Sequence, residues 1–236
     1  MAGAVFAIVV AAGRGSRFGG EKQLDRIGER TVVQMALATV SGPADGLVVV
    51  TPAEVASAPQ PLVLLGVGPL RNAAGTEITP RVVAGGETRS ASVRAGLEVV
   101  PQDCSIVVVH DAARPLASNR LCEAVVAAVA EGADGAVPGL PLADTLKVAV
   151  AGEVRETIPR DSVVRVQTPQ AFRADMLRKA HSTKGEATDD AGLVEAVGGR
   201  VVVVAGEESN LKITTRNDMD LARWLAGSRP AGRAVK

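Results

Sequence analysis

A run of small and cationic residues, Ala11-Ala-Gly-Arg-Gly-Ser-Arg-Phe-Gly-Gly-Glu-Lys-Gln23, follows the apolar segment Val5–Val10. Glycines let backbone N–H groups close around an anion, and Arg14, Arg17 and Lys22 can neutralise it, so the loop suits a polyphosphate. It matches neither of two familiar phosphate loops. A dinucleotide fingerprint needs glycine where this chain has Phe18, and a Walker A loop needs Gly-Lys-Ser/Thr where this chain reads Gly20-Glu-Lys-Gln23. A solvated turn is the plainer reading of the same composition. A second loop, Gly85-Gly-Glu-Thr-Arg-Ser-Ala-Ser-Val93, pairs glycines that admit a ligand to the backbone with hydroxyls that could reach a ribose or a base edge. Thr88 or Ser90 equally fits a helix N-cap. A third element, Ile106-Val-Val-Val-His-Asp-Ala-Ala-Arg-Pro115, sets Asp111 and Arg114 just past an apolar run. The acid suits a metal or an incoming hydroxyl, the arginine a phosphate. His110 reads as a hydrogen-bonded core histidine, since no Ser or Cys stands in a recognisable triad motif. Lys212, in Asn210-Leu-Lys-Ile-Thr-Thr215, reads as part of a short apolar strand, where an unpaired ammonium is costly to bury. It should face an anion or snorkel at a sheet edge.

These residues need a scaffold, and the pattern around them supplies one. Short β-branched runs at Val5–Val10, Leu47–Thr51, Arg81–Ala84, Ile106–His110, Gly135–Val137 and Arg200–Ala205 are apolar on consecutive positions, as strands buried on both faces are. Helical patterns alternate with them at Thr31–Val40, Thr88–Val99, Asn119–Glu131, Ala174–Ser182, Asp189–Val197 and Asn217–Leu225. The alternation predicts a mainly parallel sheet covered by helices, with ligands at the carboxyl ends of the strands. Two period-2 runs, Asp144–Val150 and Val154–Ile158, flank Ala-Gly-Glu and predict a β-hairpin, either an arm that pairs with another subunit or an edge hairpin of the same sheet. Pro52–Thr79 holds neither period and stays unassigned, and the tail from Gly227 to Lys236 is expected to fray.

The 236 residues suffice for one large α/β domain, taken here as a single unit over 1–236 with an arm over about 141–166. Lys+Arg and Asp+Glu balance at 26 each, so no basic field points to nucleic acid or to an anionic membrane. Aromatic residues make up 2%, which removes base-stacking platforms for single strands. No apolar run approaches the ~20 residues of a membrane span. Two cysteines, Cys104 and Cys122, are too few for a disulfide framework or a zinc cluster, and the N-terminus lacks a basic region and cleavage site. A soluble, cytoplasmic, reduced protein is expected.

Taken in order, Ala11-Ala-Gly-x-Gly-x-Arg17, Lys22-Gln, Gly85-Gly-x-x-Arg89, His110-Asp-Ala-Ala-Arg-Pro115, Asp144-Thr-x-Lys147, Arg160, Thr168-Pro-Gln170, Thr188-Asp-Asp190 and Lys212-Ile-Thr resemble the 2-C-methyl-D-erythritol 4-phosphate cytidylyltransferases of non-mevalonate isoprenoid biosynthesis. The likeness runs over Val5–Leu225. It implies a Rossmann-like nucleotidyltransferase fold and a homodimer interlocked by the Asp144–Ile158 arm. The implied reaction joins CTP and methylerythritol phosphate, with Mg²⁺, to give the CDP-polyol and pyrophosphate. Carried over by resemblance, Arg17 and Lys22 stabilise charge on the CTP phosphates, while Ala11, Ala12, Gly13, Gly86, Glu87, Ser92, Asp111 and Ala112 hold the nucleotide. Asp111, Arg114 and Thr145 contact the polyol phosphate, and Arg160 and Lys212 position its phosphate for in-line attack. Thr145 and Arg160 come from the partner subunit. The metal is held chiefly by the triphosphate, so no protein ligand is assigned. No protein nucleophile is required, because the attacking phosphate is already an anion.

The chain departs from the family at Val10, where proline is common, and at Glu87, where a shorter acid is common. Thr157-Ile-Pro-Arg160 also resembles ribitol 5-phosphate cytidylyltransferases, the second reading, whereas Ala113 and the Asp144-Thr-Leu-Lys run favour the methylerythritol enzymes. A nicotinamide-dependent oxidoreductase is disfavoured by Phe18. A non-catalytic nucleotide-binding subunit is disfavoured by the presence together of Arg17, Lys22, Arg160 and Lys212.

Overall fold

The computed structural model describes residues 3–13, 18–183 and 185–228. Arg14, Arg17 and residues 229–236 lie outside them; of the tail expected to fray from Gly227, Gly227 and Ser228 instead end a helix. In chain order the N-terminal part runs β1 (Val5–Val10), β2 (Arg26–Ile27), β3 (Arg30–Thr31), α1 (Val32–Ser41), β4 (Gly46–Thr51), α2 (Ala53–Ala56) and α3 (Pro61–Leu64). There follow β5 (Leu70–Arg71), β6 (Glu77–Ile78), β7 (Arg81–Ala84), α4 (Arg89–Glu98), β8 (Ile106–Asp111) and α5 (Asn119–Ala130). The C-terminal part is β9 (Gly135–Pro141), β10 (Leu146–Val150), β11 (Glu153–Ile158), β12 (Val164–Val166), β13 (Gln170–Arg173), α6 (Ala174–Ser182), α7 (Asp190–Ala196), β14 (Val201–Ala205) and α8 (Arg216–Ser228).

The central sheet has the order β12-β9-β13-β8-β1-β4-β7, with β14 also paired to β9. The pairs β1–β4, β1–β8, β4–β7 and β9–β14 are parallel, as the strand–helix alternation predicts. Antiparallel β13 sits between β8 and β9, and β12 is antiparallel to β9. Neither was expected, because four residues reading Gln-Ala-Phe-Arg show no period. β4 and β8 are buried along their whole length, but β7 and β14 are only partly so. Those two lie outermost, so one of their edges and part of each face remain open.

Burial alternates along the inner strands. Val5, Ala7 and Val9 face a cluster with Val33, Leu37 and Val125, whereas Ile8 packs with Val93, Leu97, Phe172 and Leu177 on the opposite face. The helices therefore form two layers, α1 and α5 on one side, α4, α6 and α7 on the other, and the sheet is the middle of a three-layer sandwich. A third, smaller cluster of Phe18, Ile27, Val32, Leu116, Ile213 and Met219 ties α8 and the segment before it to the N-terminal loop. The unassigned stretch Pro52–Thr79 contains α2, α3 and the β5–β6 pair, all too short to carry a legible period.

Among the described residues the β10–β11 hairpin pairs only with itself. It turns on Ala151 and Gly152, both at positive φ (52° and 84°), as a two-residue primed turn requires. It is narrower than 141–166: Pro141 closes β9, and Val164–Val166 pair back onto β9 in the central sheet.

Candidate functional site

The carboxyl ends of β1, β4, β7 and β8 stand side by side in the sheet, and the loops that leave them make one rim. Ala11 N–H donates to Val50 O at 2.7 Å, Gly85 N–H to Thr51 O at 2.8 Å and Ala112 N–H to Val10 O at 3.0 Å, so Ala11, Gly85 and Ala112 continue the sheet by one residue beyond its strands. A Cβ on Gly85 would lie 2.4 Å from the Ala12 Cβ and 2.8 Å from the Ser92 Oγ. The glycine thus lets the first and second loops touch. Ser92 is buried and its hydroxyl donates to the carbonyl of Thr88 at 3.0 Å. Thr88 is the N-cap of α4, its Oγ1 accepting from Ala91 N–H at 3.0 Å, so this hydroxyl serves the helix. Gly13, Gly86 and Glu87 are exposed at the same rim, where a ligand could reach them.

Asp111 closes β8 with its carboxylate almost wholly buried between two cations. Arg89 Nε donates to Oδ1 at 3.0 Å and Lys212 Nζ to Oδ2 at 2.7 Å. Burial alone would raise the pKa of this acid, but the two cations outweigh it and hold Asp111 well below the usual carboxylate range. Arg89 also reaches Asp190 Oδ2 at 2.7 Å. Burial works against its charge, and the two carboxylates together raise its pKa above the ordinary value. Next door, His110 is fully buried, and burial pushes its pKa down to about 4, so the ring is neutral at neutral pH. Its Nδ1 lies 3.0 Å from Thr168 Oγ1, which also accepts the Asp111 backbone N–H at 3.0 Å. His110 is a core histidine that helps seat Asp111.

Lys212 does not lie in a strand. Residues 211–214 are irregular, and they are pinned by Ile213 N–H donating to Ala113 O at 2.8 Å while the Ile213 side chain is buried with Phe18 and Met219. Burying Ile213 turns its neighbour Lys212 outward to the rim, where it finds the anion its type demands, here Asp111. Lys22, in a single turn of 3-10 helix over Lys22–Leu24, donates to Ile213 O at 2.6 Å. Two lysines 190 positions apart thus meet at successive residues of one segment. Arg114 donates from Nη1 to Asn210 O at 2.8 Å, and burial lowers its pKa. Asn210, fully buried, donates in turn to Gln167 Oε1 at 3.2 Å and to Thr168 O at 3.0 Å. The loop before β13 and the segment before α8 are thereby locked together beneath the rim.

The fold thus brings Ala11, Ala12, Lys22, Gly86, Ser92, Asp111, Ala112, Arg114 and Lys212 to one end of the sheet. It does not bring Thr145 or Arg160 there within one chain. Both are exposed on or beside the hairpin, and Arg160 Nη1 donates to the carbonyl of Ala143. Sequence reasoning assigned no role to Arg89, Asp190, His181, Thr168, Gln167 or Asn210. Arg89 and Asp190 each stand directly after a helix N-cap among polar neighbours, so no local signal marks them as buried partners. Among the described residues no three His, Cys, Asp or Glu side chains gather to hold a metal ion. Both Asp111 oxygens are taken by the cations Arg89 and Lys212.

A mostly parallel sheet under two helical layers, with a cationic rim at its strand ends and a projecting hairpin, defines a nucleotidyltransferase-like α/β protein. The crystal structure of 4-diphosphocytidyl-2C-methyl-D-erythritol synthase from Anaerococcus prevotii superposes with a TM-score of 0.80 at 26% identity, covering 96% of this chain and 97% of that one. The 2-C-methyl-D-erythritol 4-phosphate cytidylyltransferase of Thermus thermophilus gives 0.72 at 33% identity, covering 96% and 100%. In sequence, the 2-C-methyl-D-erythritol 4-phosphate cytidylyltransferase of Rhodococcus opacus is 43% identical over 229 residues, 94% of this chain and 95% of its own length. The family model described as IspD, 2-C-methyl-D-erythritol 4-phosphate cytidylyltransferase, matches residues 5–227. The chain belongs to that family.

Proposed function

We propose that this chain transfers the cytidylyl group of CTP to 2-C-methyl-D-erythritol 4-phosphate, releasing pyrophosphate, as an enzyme of isoprenoid biosynthesis. The observation that carries the reading is the convergence of Lys22, Arg114 and Lys212 on the segment 210–213, at the strand ends where Asp111 also sits. The polyol phosphate oxygen attacks the α-phosphorus, and pyrophosphate leaves from the opposite side. Negative charge then spreads over the phosphoryl oxygens, and preplaced cations stabilise it without reorganising. In our assignment Lys22, with Arg17, faces the triphosphate. The backbone at Ala11–Gly13 and the Gly86, Glu87, Ser92 and Ala112 positions seat the nucleotide. Asp111, in contact with both substrates, accepts from polyol hydroxyls, and Arg114 and Lys212 draw in the polyol phosphate. A magnesium ion bound to the triphosphate would supply further neutralisation of its charge.

Thr145 and Arg160 complete the site from a second copy of the chain in this reading. The hairpin supports it: Val150 and Val154 are 54% and 62% exposed, and an isolated two-stranded hairpin is marginal in water without a surface to cover it. No helix among the described residues is long and apolar enough to cross a membrane. A coupled pyrophosphate-release assay tests the proposal. CTP with methylerythritol phosphate should release pyrophosphate and yield the CDP-polyol by mass; release with ribitol 5-phosphate alone would transfer the chain to the other cytidylyltransferase class.

A further inference from the structure

Arg89 and Asp190 belong to motifs that the reaction as assigned above leaves without a role, yet they meet behind its central acid. Arg89 is the first residue of α4, and its side chain spans two carboxylates, Nε to Asp111 Oδ1 at 3.0 Å and Nη1 to Asp190 Oδ2 at 2.7 Å. Asp190, the first residue of α7, is fully buried, and its Oδ1 accepts from His181 Nε2 at 2.9 Å, a ring only 3% exposed. The two oxygens of Asp111 are therefore held unequally. Oδ1 belongs to a guanidinium that is itself anchored by a buried acid. Oδ2 belongs to Lys212, whose side chain is 41% exposed.

That inequality decides which cation can move. Lys212 sits on a flexible stem at the rim and can exchange a carboxylate for a phosphate. Arg89 cannot leave without unpairing Oδ2 of the fully buried Asp190 carboxylate, a costly arrangement. Its planar fork also fixes direction as well as charge, which an ammonium would not. We infer that Arg89 is a positioning residue: anchored by Asp190, it holds Asp111 through Oδ1, so that Oδ2 is presented to an acceptor hydroxyl when Lys212 turns to the polyol phosphate. The inference rests on the proposed assignment of Asp111 and Lys212 to that substrate.

The charged and titratable groups facing Asp111 are Arg89 from α4, Lys212 from the segment before α8, Arg114 from the loop after β8 and His110 beside it on β8. Of these, Arg89 and Lys212 hold the acid ionised, so deleting Arg89 should let Asp111 take up a proton at higher pH.

The test compares Arg89→Met, Arg89→Lys and Asp190→Asn with the wild-type chain. Arg89→Met should lower kcat/KM for methylerythritol phosphate at least ~10-fold, the scale of one charge-assisted hydrogen bond, and should raise KM for CTP by less. Its acid limb should move to higher pH. Arg89→Lys should restore the acid limb but not the polyol KM, because charge returns without the fork. Asp190→Asn should move both in the same direction by less. Wild-type polyol KM and acid limb in Arg89→Met would overturn the inference, as would equal losses for both substrates with an unmoved limb. If Arg89→Met fails to fold, Arg89→Lys decides by its polyol KM. Titration of the Asp111 carboxyl by carbon NMR without substrate reads the clamp independently of turnover, and an unchanged midpoint in the Arg89→Met chain overturns it. The wild-type rate with CTP and methylerythritol phosphate judges the functional reading separately.

Discussion

The rim of the sheet and the β10–β11 hairpin carry residues assigned to one reaction, but the chain treats them in opposite ways. At the rim, the central charged groups are satisfied within the same chain: Asp111 between Arg89 and Lys212, Arg114 on Asn210 O, Lys22 on Ile213 O. On the hairpin, Thr145 and Arg160 are exposed, and Lys147 bonds across to Thr157 Oγ1 at 2.6 Å. The rim is thus preorganised by its own fold, whereas the hairpin holds its residues exposed outside that fold. Residues of the first kind should matter to stability and chemistry together. Those of the second should matter to chemistry alone.

The sharpest way to break this contrast is Lys22→Ala. It removes the cation we assign to the CTP phosphates, from which pyrophosphate leaves, and kcat should fall at least ~100-fold, as for the loss of one transition-state donor. An unchanged kcat in steady-state assays would take Lys22 out of the mechanism. Next comes the pH dependence of rim stability. His110 is held neutral by burial, with its pKa lowered to about 4, so the unfolded chain binds the proton first. Its contribution is full above the unfolded pKa of ~6.5 and is lost as pH falls toward about 4, roughly 3 kcal/mol in all. Urea melts between pH 7 and 4 should show that loss, and a His110→Gln chain should show a flatter profile; parallel profiles would refute it. The smallest effect concerns the hairpin. Arg160→Ala should raise KM for methylerythritol phosphate about 10-fold through loss of a guanidinium clamp, while the midpoint of thermal unfolding stays put. A lowered midpoint with an intact KM would make Arg160 structural and erase the contrast.

Much of this architecture is legible in the order of residues alone. The β-branched runs mark the inner strands because burial on both faces leaves them nothing polar to show, and Ala174–Ser182 marks its helix to the residue. The lysine in Leu-Lys-Ile predicts a nearby anion because burying Ile213 must expose or pair Lys212, although the expected strand there is an irregular segment. What stayed hidden depends on long-range pairing. β13 is four residues long and takes its place only from β8 and β9 on either side. The Arg89–Asp190 pair joins residues 101 positions apart, and nothing local to either names the other. The arm lies between these cases: its turn and alternation are local, but what it covers is not.

If the hairpin serves a surface outside its own fold, the rim of one chain and the hairpin of another form a single site. Mixing Lys22→Ala with Arg160→Ala chains tests this directly, because only a heterodimer can pair an intact rim with an intact hairpin. Random exchange of equal amounts should restore roughly a quarter of the wild-type rate, half the dimers each regaining one site of two. No recovery after subunit exchange has been verified would contradict it.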